Sequence, residues 1–64
     1  MSNIRTVQCR DGQFVFNMVY VNGLPKVDVY FEDKHIGMIG YYDLDNASDI
    51  ELIQAVDEYL EEME

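Results

Sequence analysis

Apolar residues recur along this chain with two different periods. Over residues 4–42 they largely alternate with polar ones, and from Ser48 onward they return every three or four residues. A period of two belongs to strands with one face buried, and a period near 3.6 belongs to an amphipathic helix. Dipeptides that favour tight turns divide the first part into four strand-length segments, residues 4–9, 13–21, 26–31 and 36–42. The dividers are Asp11-Gly12, Asn22-Gly23 and Asp33-Lys34, of which the first two are preferred hairpin pairs.

Each divider, taken as a two-residue turn, fixes a register. Asn22-Gly23 sets Met18 opposite Val27, Phe16 opposite Val29 and Phe14 opposite Phe31. Asp11-Gly12 sets Cys9 opposite Phe14 and Val7 opposite Phe16, while Asp33-Lys34 sets Phe31 opposite Ile36 and Val29 opposite Met38. Directly opposed residues share a face, so all three turns send the heavy apolar side chains to one side. That agreement predicts a four-stranded antiparallel meander. Pro25 falls at the start of the third strand, where a missing N–H is tolerated.

The last third reads as a helix. Ser48-Asp49-Ile50-Glu51 fits a capping box, with Ser48 as the N-cap. Leu52, Ile53, Val56, Tyr59, Leu60 and Met63 then fall within about 120° of one another. This stripe is expected to cover the Phe14/Phe16/Val27/Val29 face, with Gly40 in the fourth strand allowing close approach. The expected fold is α+β, a ββββα arrangement forming a single domain over residues 1–64.

Composition fits that size. With 64 residues, 48% of them hydrophobic and five Tyr plus three Phe to supply mass, the chain is globular rather than disordered. Its one cysteine, Cys9, has no internal disulfide partner and reads as a small strand hydrophobe. No basic stretch followed by an apolar core opens the chain, and no run of about 18 apolar residues occurs. A cytoplasmic protein with no membrane partner is expected.

Charge changes the picture more. Residues 1–42 hold four acids (Asp11, Asp28, Glu32, Asp33) and four bases (Arg5, Arg10, Lys26, Lys34), whereas residues 43–64 hold nine acids and no base, so the whole net charge of −9 is in the last third. Asymmetry of this kind points to an interaction surface. The final eight residues carry five acids, several of them where the helix dipole disfavours negative charge. Asp57/Glu61 and Glu58/Glu62 are also like-charge pairs at i,i+4. Glu51, Asp57, Glu58, Glu61 and Glu62 are therefore the expected partner-binding residues, extended by Asp43 and Asp45.

A second candidate surface is the other face of the sheet. The registers above place Val15, Val19, Val21, Tyr30, Ile39 and Tyr41 there, beside Asn17, Lys26 and Asp28. A wet sheet face usually alternates to polar residues, and one helix covers only one side. Val15, Val19, Tyr30, Ile39 and Tyr41 are the candidates for a homodimer or partner contact.

Chemistry finds little footing. Residues 43–49 carry Asp43, Asp45 and Asp49 at calcium-loop positions 1, 3 and 7. They lack the glycine at position 6 and the glutamate at 12, so a polar strand-to-helix loop is the better reading. His35, the one histidine, has no second ligand or nucleophile set beside it and reads as a turn residue. There is no Gly-rich phosphate loop, no CxxC and no Ser–His–acid set. No enzyme, metal or cofactor is expected. Direct binding of nucleic acid fails on sign, because thirteen acids against four bases repel phosphates.

In size, acidity and expected architecture, the chain resembles the small acidic inhibitors that phages make, such as anti-restriction, anti-CRISPR and uracil-DNA glycosylase inhibitor proteins. The resemblance lies in those bulk properties and not in a motif. It implies a non-enzymatic inhibitor that docks an acidic helix on a basic, nucleic-acid-binding protein, with mimicry of DNA as one route. The alternative from a different class is a small homodimeric adaptor that assembles through the apolar sheet face.

Overall fold

Alternation and turn chemistry produce four strands, and the capped 3.6-period segment produces one helix. The computed structural model describes residues 3–63. The elements are β1 (Ile4–Cys9), β2 (Gly12–Val21), β3 (Leu24–Phe31), β4 (Lys34–Ile39) and α1 (Asp49–Glu62). The strands lie in the order β1-β2-β3-β4 with every neighbour antiparallel, which is the expected meander.

The central hairpin has the expected register. Phe14 pairs with Phe31, Phe16 with Val29 and Met18 with Val27. Asn22 (φ 54°) and Gly23 (φ 80°) both take positive φ, as a type I′ turn requires.

The two outer hairpins depart from expectation. In the first, Arg10 and Asp11 make the turn, and Cys9 pairs with Gly12 and Val7 with Phe14. Gly12 is thus the first residue of β2 rather than part of the turn. A Cβ there would lie 2.6 Å from the Phe31 ring, so the glycine admits that ring. Because the slip is two residues, each β1 side chain keeps its face.

In the third hairpin, Glu32 (φ 56°) and Asp33 form the turn, with Phe31 opposite Lys34. That displacement alone would also preserve faces. A bulge at Val29/Tyr30 does not: Tyr30 pairs with His35 but Val29 with Gly37, leaving Ile36 as the extra residue. Everything beyond it changes side. Ile39 comes opposite Val27 and is buried, while Met38 turns outward opposite Asp28. Ile39, expected on the outer face, is therefore a core residue. The glycine under the helix is correspondingly Gly37, where a methyl group would overlap the Tyr59 ring, whereas Gly40 has open space around its Cβ position.

The core lies between the sheet and α1. Phe16, Val27, Val29 and Val7 from the strands meet Leu52, Ala55 and Val56 of the helix. Ile53 and Tyr59 pack partly against them, but Leu60 (42% exposed) and Met63 (64%) fall outside the buried stripe. The connecting segment also contributes, burying Leu44 and Ala47. Arg5 fastens that segment to β1. Its Nη1 donates to the Leu44 and Ala47 carbonyls, 2.9 Å each, and its Nη2 donates to Asp49 Oδ1 at 2.6 Å. At the helix start, Ser48 Oγ accepts from the Glu51 N–H at 3.1 Å.

Candidate functional site

The helix that closes the core also sorts the acids. At 100° per residue, Asp57, Glu61, Glu58, Glu51 and Glu62 occupy an arc of about 140° on the side of α1 away from Leu52 and Val56. All five are exposed. No basic side chain reaches them: among the described residues Arg5 pairs with Asp49, and His35 lies against Asp28. Glu64, counted with the acidic tail, lies outside the described residues.

Asp43 and Asp45 are also exposed, but they belong to a different local structure. Asp43 Oδ1 accepts from the Asp45 N–H at 3.1 Å, and Oδ2 accepts from Asn46 Nδ2 at 2.8 Å. The Asn46 side-chain bond, with smaller backbone contributions, holds the Asp43 carboxyl below its ordinary pKa. Its carbonyl accepts from the Asn46 and Ala47 N–H groups. Asp43 is thus the organiser of a turn that carries Leu44 and Ala47 into the core. Among the described residues, no three His, Cys, Asp or Glu side chains are grouped where they could hold a metal ion.

The outer face of the sheet keeps part of its expected set. Val15, Val19 and Tyr30 lie there half-buried, paired with Thr6 and Tyr30, with Lys26, and with His35 respectively. Ile39 has moved to the core. Tyr41, expected on this face, follows the end of β4 at Ile39 and instead lines a hollow beside α1. His35 is more than a turn residue. It is the second residue of β4, its Nε2 lies 3.3 Å from Asp28 Oδ1, and its ring centroid is 5.0 Å from that of Tyr30. Pairing of Tyr30 with His35 follows only once the turn is known to be Glu32–Asp33.

Two open hollows flank the helix. One, of about 610 Å³, is mainly apolar, with Phe14, Phe31, Ile36 and Leu60 around it and Lys34 and Asp11 at its rim. The other, of about 490 Å³, brings Tyr41, Tyr42 and Tyr59 together with Glu58 and Glu62, above Ile39 and Ala55. Sequence reasoning missed this second grouping. The Glu58/Glu62 spacing and the adjacent tyrosines were visible, but their meeting depends on where β4 stops.

Among the described residues, no helix is long and apolar enough to cross a membrane. Compared with known proteins, the chain matches no family model, no curated protein and no solved structure.

Proposed function

We propose that this protein is a non-enzymatic binding protein that docks the acidic side of α1 on a basic protein surface, one that ordinarily holds nucleic acid, and thereby blocks it. One observation carries the reading: five exposed carboxylates share one side of a packed helix and have no basic partner among the described residues. The like-charge pairs cost the isolated helix a few tenths of a kcal/mol each. A cationic surface would relieve that repulsion on contact. Such complementarity mainly raises the association rate and selects partners, leaving buried anchors to slow dissociation.

The test begins with capture of host proteins on the immobilised full chain, eluted by rising salt. A DNA-handling protein released at moderate salt is the expected result. Glu58→Lys with Glu61→Lys should then slow association of that protein at least tenfold in low salt and flatten its salt dependence. Unchanged association kinetics would rule the proposal out. Self-association through the sheet is the second reading, and it now rests on Val15, Val19 and Tyr30 without Ile39 or Tyr41. A dimer that persists in high salt would favour it.

A further inference from the structure

The hollow between α1 and the segment after β4 combines two features that each attract cations. Glu58 and Glu62 stand one helical turn apart on the side of α1 that borders it, and Tyr41, Tyr42 and Tyr59 supply aromatic walls. Tyr59 is held in place from below, because its ring lies across Gly37, and Tyr42 packs partly against the core. Tyr41 is 58% exposed and forms the open wall. None of these five side chains has a hydrogen-bond or ion-pair partner among the described residues.

We infer that this hollow is a subsite for an arginine side chain of the partner, which deepens the proposed function and rests on it. Aromatic rings carry negative charge on their faces and attract a cation placed over them. Side chains at i,i+4 have Cβ atoms about 5–6 Å apart, so the two carboxylates can converge on one cation. A guanidinium suits the hollow best: it is planar, offers five donors in a fixed fork, and stacks on a ring while its edge meets carboxylates. Lysine would meet the charge and forfeit the stacking. The neighbouring apolar hollow around Phe14, Phe31 and Leu60 has both signs of charge at its rim and indicates no such occupant.

The experiment is an amide NMR titration of the full chain, in low salt, with acetylated and amidated tri-arginine and tri-lysine peptides. Tri-arginine is expected to bind more tightly, with shifts concentrated at Tyr41, Tyr42, Glu58, Tyr59 and Glu62. Tyr41→Leu should weaken tri-arginine about three- to fivefold and tri-lysine less, as an exposed cation–aromatic contact implies. Glu58→Gln with Glu62→Gln should weaken both. Equal affinities, no effect of Tyr41→Leu, and shifts centred on Glu51, Asp57 and Glu61 would overturn the subsite while leaving the acidic docking face intact. Failure of both peptides to bind the wild-type chain would overturn the subsite and the docking face together.

Discussion

The two ends of α1 are built on opposite principles. At the start, every charge supports the fold. Ser48 caps the helix, Asp49 and Glu51 sit where the dipole favours acids, and Arg5 ties Asp49 and two loop carbonyls back to β1. At the far end, Glu61 and Glu62 oppose the dipole, no basic residue lies in the last turn, and Leu60 and Met63 are exposed. One end spends its electrostatics inside the molecule, and the other directs it outward. The acidity of the final turn therefore opposes the helix that carries it, which is why a partner is proposed for it.

Substitutions at the two ends should differ accordingly, and the largest contrast is in packing. Leu52 is fully buried, so Leu52→Ala should cost about 2–5 kcal/mol in urea unfolding. Leu60→Ala at the exposed end should cost under about 1 kcal/mol. Similar losses at both positions would mean that the last turn is part of the core after all.

Next in size is the clamp. Arg5→Ala removes the donor to the Leu44 and Ala47 carbonyls and should cost about 1.5–3 kcal/mol, most of it from those part-buried acceptors. The Arg5–Asp49 ion pair is mostly solvent-facing and contributes only a small share. Asp49→Asn should accordingly cost well under half of the Arg5→Ala loss.

The smallest effect has the opposite sign. Glu62→Lys places a cation at the helix C-terminus and four residues after Glu58, so it should stabilise the free protein by about 0.5–1 kcal/mol at low ionic strength. Added salt should erase the gain. A destabilised variant would show that Glu62 has a partner within its own fold.

How far the sequence could be read follows from which signals are local. Asn22-Gly23 demands two positive φ values in succession, and both residue types supply them, so the central register was legible. Glu32 has no such preference, and its positive φ displaced the third turn unannounced. The bulge at Val29/Tyr30 leaves no mark in composition, yet it reverses the facing of every later β4 residue. Ile39 and Gly40 were misplaced for that reason, and Tyr41 because β4 ends at Ile39, before reaching it. Arg5 reaches partners 39 to 44 positions away, a distance over which no pattern operates. The acidic arc was legible because helical periodicity alone places its members together.

The most direct measurement of the proposed blocking role is displacement. A fluorescent DNA duplex is bound to the captured partner at low salt, and this protein is titrated in while anisotropy is followed. Release of the DNA at a stoichiometric amount of wild-type protein, with about tenfold more of the Glu58→Lys/Glu61→Lys variant needed, is the predicted result. DNA that stays bound while this protein saturates the partner would contradict it.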